Sequence, residues 1–184
     1  MIDAAMGKRQ ADVGERAVLR LLVATWAEAL PLLGFAPRVT GMGCRSLDIG
    51  DGEALLLAGF AGACQPWLRP GDVLLAGDAP AELRSRLGAV SGEVRTLDHI
   101  ANPAEKSALG GEGVAAVDME TAWLAAASNV PFVSVRVIID RLEDPAVSVA
   151  TAWHYMAACR SLRKAVGEAY EFLSHPNGRG PTPS

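Results

Sequence analysis

Aromatic residues make up only 5% of this sequence, cysteines number three, and no apolar run approaches the ~18 residues that span a bilayer. Cys44, Cys64 and Cys159 are odd in number and far apart, which argues for reduced thiols and against a disulfide framework or a zinc site. Basic residues form no stripe, and the formal net charge is -4, so nucleic acid is excluded as a partner class. The first fourteen residues (MIDAAMGKRQADVG) lack the apolar core of a signal peptide, an expectation of a cytoplasmic chain. Three histidines, His99, His154 and His175, are scattered and suggest no chemistry.

What is present is a chain of 184 residues, 50% hydrophobic, enough for one sizeable core. The expected organisation is a flexible leader (1–14), a single α/β domain (15–174) and a Gly/Pro-rich disordered tail (175–184). Apolar runs at Ala17 to Thr25, Ala54 to Phe60, Val73 to Ala76, Val114 to Val117 and Pro131 to Ile139 read as strands, joined by a short one at Arg38 to Thr40 and by one within Val90 to Ile100 that ends near Thr96 to Asp98. Helical patterns follow several of them: Trp26 to Leu33, Ala79 to Leu87, Pro103 to Leu109 and Thr121 to Ser128. A long amphipathic helix runs from Asp144 and Pro145 to His175, its apolar face marked by Val149, Trp153, Met156, Leu162, Val166, Tyr170 and Leu173. Alternating strands and helices imply a single α/β domain around a mostly parallel or mixed central sheet flanked by helices.

The stretch Gly113 to Asp140 organises the rest. It reads as a βαβ unit in which Asp118-Met119-Glu120 opens a helix after one strand and Asp140 closes the next, so carboxylates sit at the carboxyl ends of strands, where open α/β sheets bind ligands. Glu28, just past the first strand, joins them. Two glycine-rich elements, Gly41-Met42-Gly43 and Gly59-Phe60-Ala61-Gly62, read as tight turns after strands. Each carboxylate also has a plain reading: Asp118 as a helix N-cap, Glu120 in a first helical turn, Asp140 paired with Arg141 in a turn, Glu28 as an exposed helix carboxylate. Trp123 reads as core, and Trp26 as core or interface packing.

Taken together, AVDMETA followed by VPFVSVRVIID, preceded by GFAGACQPWLRPGDV and GMG, resembles the purine nucleoside phosphorylase and uridine phosphorylase superfamily over Leu19 to Asp140. The element LLVATWAEALPLL, with Glu28 four positions after Ala24, is similar to the nucleosidase branch, which includes methylthioadenosine/S-adenosylhomocysteine nucleosidase, futalosine hydrolase and the hopanoid-associated phosphorylases. The VDMET and AEKSALG elements resemble that last subgroup in particular.

This resemblance implies cleavage of the N-ribosidic bond of a purine nucleoside or a 5'-modified nucleoside, with no cofactor or metal. Glu28 would activate water, Glu120 would bind the ribose hydroxyls and Asp140 would protonate the base at N7. Met119 would pack on the sugar, while Gly41, Gly43, Gly59, Phe60, Ala61 and Gly62 would line the ribose or anion side. Thr96 and Leu97 fall where the base lies. Phosphorolysis, with Arg45 contacting phosphate, is the alternative, as is a non-catalytic nucleoside-binding or scaffold role. The resemblance also implies a homo-oligomer, a dimer first. The sequence departs from the family in its short Gly43 to Ala54 and Asp72 to Val90 segments, in aliphatic Leu97, in Phe60 at a usually small position, and in Ile139 before the aspartate.

Overall fold

The computed structural model describes residues 18–44, 53–144 and 149–175. In chain order these form β1 (Val18–Val23), α1 (Trp26–Ala29) continued by a 3-10 segment (Leu30–Phe35), β2 (Arg38–Val39), a 3-10 turn (Met42–Cys44), β3 (Glu53–Ala63), β4 (Val73–Gly77), α2 (Ala81–Leu87), β5 (Glu93–Thr96), α3 (Pro103–Gly111), β6 (Val114–Asp118), α4 (Thr121–Ala127), β7 (Phe132–Ile138) and α5 (Val149–Ser174). The leader, the tail beyond His175, Arg45 and Pro145 lie outside the described residues.

Seven strands form one mixed sheet, as expected, in the order β2-β1-β3-β6-β5, with β7 between β3 and β4. β3 is the hub. Leu55, Leu56, Leu57 and Ala58 are almost wholly buried, as a strand covered on both faces requires. Parallel to it run β1, paired from Val18↔Glu53 to Val23↔Ala58, and β7, from Leu55↔Phe132 to Ala61↔Ile138. At its carboxyl end β3 switches partner, and Gly62↔Val117 and Ala63↔Ala116 join it antiparallel to β6.

Two expectations are corrected by this register. Gly59 to Gly62 is not a turn: β3 continues through it to Ala63. Glycine at position 59 answers to space, since a Cβ there would collide with the Glu28 carboxylate and come within 2.5 Å of Arg136 Nη1. Nor do β6 and β7 pair as a βαβ unit. They meet only through β3, β6 antiparallel to it and β7 parallel.

On one face of the sheet, α5 seals the main core by packing Ala158, Leu162, Ala165, Val166 and Ala169 against Leu21, Val23, Leu56, Val133, Val135 and Val137. Its apolar face is therefore narrower than the spacing suggests, because Trp153 and Met156 are exposed and small alanines make the contact. Opposite, Leu124 of α4 packs on Leu22, Leu55 and Leu57. Trp123, beside it, is half-exposed instead of core, and Trp26 is exposed. Asn102 starts α3 by accepting a hydrogen bond from Glu105 N at 3.0 Å, with Pro103 in the first turn. That places Lys106 on the inward face of α3, where it is 1% exposed.

Candidate active site

The carboxyl ends of β1, β3, β6 and β7 surround a cavity of about 240 Å³, roofed by the segment from His99 to Ala101 and by Lys106. Glu28 enters it from α1. Thr25 and Glu28 form a reciprocal capping box, so the side chain that starts this four-residue helix is also held at the end of β1. Glu28 Oε2 accepts from Ala24 N (3.1 Å), Thr25 N (2.9 Å) and Thr25 Oγ1 (3.1 Å), and Oε1 accepts from Phe60 N at 3.0 Å. Glu28 is buried, contrary to its reading as an ordinary exposed carboxylate. With one donor on Oε1 against three on Oε2, Oε1 keeps the accepting capacity that a water could use.

Arg136, fully buried on β7, binds two carboxylates. Its Nε lies 2.8 Å from Asp118 Oδ2, and Nη1 lies 3.3 Å from Glu120 Oε2. Nε also donates to Thr121 Oγ1 and Ser134 Oγ, while Nη2 has no hydrogen-bond partner among the described residues. Asp118 is spent on structure. Its Oδ1 accepts from Thr96 Oγ1 at 2.6 Å, and its Oδ2 accepts from Thr121 N at 3.1 Å and from Thr121 Oγ1. Asp118 thus caps α4, as its sequence position suggests, although Glu120 is the residue that immediately precedes the helix. Burial pushes the Glu120 carboxyl above its ordinary range, and Arg136 opposes that rise.

Asp140 faces the cavity from the end of β7 and is 2% exposed. Its partner is Lys106, not Arg141: Lys106 Nζ donates to Asp140 Oδ2 at 3.0 Å, and Ala63 N donates to Oδ1 at 2.9 Å. Burial raises the Asp140 carboxyl above its ordinary range, with Lys106 pulling the other way. Gly62 lies alongside it: a Cβ at that position would make ordinary contact with Asp140 Oδ1, at 3.5 Å.

Glu28, Glu120, Asp140, Met119, Phe60, Ala61 and Gly62 all line this one cavity. Gly41 and Gly43, both with positive φ, line an adjoining hollow of about 540 Å³ that shares Met42 and Met119 with the first. Gly59 lies behind the wall, pressed on Glu28. Thr96 and Leu97 do not line the cavity: the Thr96 hydroxyl is engaged by Asp118 and Ala122 N, and Leu97 packs on a small cluster with Cys64, Ala101, Val114 and Val117. The next residues, His99, Ile100 and Ala101, stand there instead. His99 is exposed at the rim between Asp98 and Glu105, and its hydrogen bonds to the two carboxylates, Asp98 first, raise its pKa. Sequence reasoning also missed Lys106, whose setting in AEKSALGG signals nothing about its partner. Phe60 meets Tyr155 edge to face with centroids 5.7 Å apart, giving the cavity an apolar flank.

Burial raises the thiols of Cys44 and Cys64 to about 11, which leaves them protonated and unreactive near neutral pH. Among the described residues no group of three or more His, Cys, Asp or Glu side chains could hold a metal ion, and no helix is long and apolar enough to cross a membrane.

This architecture is the nucleosidase fold. Futalosine hydrolase of Helicobacter pylori matches with a TM-score of 0.68 at 16% identity, over 84% of this chain and 97% of that one. The 5'-methylthioadenosine/S-adenosylhomocysteine nucleosidase of the same organism, solved with a pyrrolidine-based ligand, gives 0.69 at 16% identity over 85% and 99%. The Neisseria meningitidis nucleosidase in complex with methylthio-immucillin-A gives 0.65 at 17% identity over 83% and 98%. At such identities the likeness establishes a shared fold. No family model and no curated protein matches the sequence.

Proposed function

We propose that this chain is a nucleosidase that hydrolyses the N-ribosidic bond of a purine nucleoside or a 5'-modified purine nucleoside. The observation that carries the reading is the convergence of Glu28, Glu120 and Asp140, from three distant segments, on one cavity. Bond cleavage builds positive charge on the sugar and negative charge on the departing base, so groups that answer both charges favour the transition state over the ground state. Glu28 Oε1 takes the proton of the attacking water. Glu120, oriented by Arg136, accepts hydrogen bonds from the ribose hydroxyls and faces the developing cation, and Met119 packs on the sugar. Asp140 carries the proton that the base needs at N7, a task suited to a buried carboxyl with a raised pKa. The backbone of Ala61 and Gly62 lines the sugar side.

No cofactor or metal enters this scheme. Buried, unpaired Cys44 and Cys64 suit a reducing compartment, so we assign the chain to the cytoplasm. Trp26, Leu30 and Leu33 on one element and Trp153 and Met156 on α5 are exposed, and the two elements touch through Tyr155 Oη donating to Ala27 O at 2.7 Å. So much exposed apolar surface supports a homodimer, which sedimentation velocity tests.

The deciding experiment is chromatographic detection of free base after incubation with methylthioadenosine, S-adenosylhomocysteine, adenosine, inosine and futalosine, each with and without phosphate, beside Glu120→Gln. Release without phosphate that is lost in the variant is the expected result. Release only with phosphate assigns phosphorolysis, and no release from any substrate overturns the hydrolase reading.

A further inference from the structure

Among the described residues of the cavity wall, Lys106 is the buried cation for which the scheme above has no use. Its ammonium is 1% exposed and its three hydrogens are all committed: to Asp140 Oδ2 at 3.0 Å, to Arg141 O at 2.9 Å and to Asp144 O at 3.0 Å. It therefore binds no substrate atom directly. It ties α3 to the end of β7 and to the segment that follows, and it fixes one oxygen of Asp140 while Ala63 N fixes the other. Removing a lysine from water without a partner is costly, and here its partner of opposite charge among the described residues is the proposed acid itself.

We propose that Lys106 is a positioning residue that aims Asp140 at the departing base and takes up the charge left on Asp140 as its proton is transferred. The inference rests on the nucleosidase reading and deepens it. In the step, the Asp140 O–H bond breaks and an N–H bond forms on the base. The electron pair of the C1'–N bond goes to the base, water oxygen bonds C1', and the water proton passes to Glu28. The Asp140 carboxylate and the Lys106 ammonium become a full ion pair only after transfer, so their attraction favours the transition state over the ground state. Without the ammonium, Asp140 would hold its proton more firmly and be the weaker acid. The other groups facing Asp140 are the Asp144 carboxylate after β7 and the Cys64 thiol after β3. Neither can replace the cation, because Asp144 opposes ionisation and the Cys64 thiol stays neutral.

The test uses Lys106→Met, which removes charge and hydrogen bonds, and Lys106→Gln, which keeps donors without charge. The first readout is the titration of the Asp140 carboxyl carbon by NMR, assigned by its loss in Asp140→Asn. Both Lys106 variants are expected to move its midpoint upward; an unchanged midpoint in a folded variant overturns the proposal. The second is the pH profile of kcat/KM on the cleaved nucleoside. Its alkaline limb is expected to move up with the NMR midpoint, and limiting kcat to fall about tenfold or more, a part of what general acid catalysis supplies. Equal loss at every pH with no movement of the limb would mark Lys106 as structural only. Should the parent protein release no base at all, the nucleosidase reading fails by itself, and the NMR midpoint still decides the Lys106 pairing.

Discussion

The Glu28 carboxylate occupies the space that a side chain on Gly59 would need, and Arg136 Nη1 stands on the same spot from the other side. One strand position thus sets the spacing between the proposed base and the guanidinium that orients Glu120.

Gly59→Ala is expected to force these groups apart. A methyl in a full core typically costs ~1–3 kcal/mol, here outweighing the chain-entropy gain of removing a glycine, ~0.4–1 kcal/mol. Activity should fall much further than stability. Urea unfolding beside base release checks this; an alanine variant at least as stable as the parent would contradict the collision.

Asp118 and Arg136 are both fully buried and 2.8 Å apart. Asp118→Asn removes one charge and leaves the other, a change that costs ~3–5 kcal/mol in buried pairs. Because Glu120 still faces Arg136, the lower end is expected, read as a drop in urea midpoint.

The carboxyls of Glu120 and Asp140 are raised by burial. An acid whose folded pKa exceeds its unfolded value binds more protons when folded, so between the two values stability falls as pH rises. The window opens at the ordinary carboxylate range, near about 4 to 4.5, and closes at the raised values. Glu120→Gln should flatten its share of that decline. Urea midpoints measured across the window decide, and an unchanged slope in the variant would show that Glu120 adds nothing to it.

On α5, Leu162→Ala should cost ~2–5 kcal/mol as a cavity in the main core. Trp153→Ala should stay within ~0.5 kcal/mol in urea unfolding of the separated monomer, because that ring is 84% exposed. A large loss at Trp153 would return it to the core face.

The order and kind of the elements were legible because the strands are short apolar runs and the helices have their own stops, such as Gly88 after α2. The three carboxylates were legible by their places at strand ends. The helix face of α5 was misjudged because tryptophan and methionine count as apolar in any periodicity, whereas the real contact uses Ala158, Ala165 and Ala169. GFAG looked like a turn because glycine marks both turns and close approaches, and only the neighbours Glu28 and Arg136 tell them apart. Lys106 lies 34 positions from Asp140, and no local pattern encodes so long a pairing.

The hub position of β3 has a consequence for how the molecule comes into being. Among the described strands β1, β6 and β7 are joined only across it, and the segments that follow them bring Glu28 together with Glu120 and Asp140, about a hundred residues further along the chain. Such non-local pairing folds slowly, since long loops must close before any contact repays them. A ribosome-bound chain that has not yet released β7 lacks Arg136 and Asp140 altogether. Asp140 therefore joins the cavity wall, and Arg136 takes hold of Glu120, only when β7 docks, the last of the described strands to be synthesised.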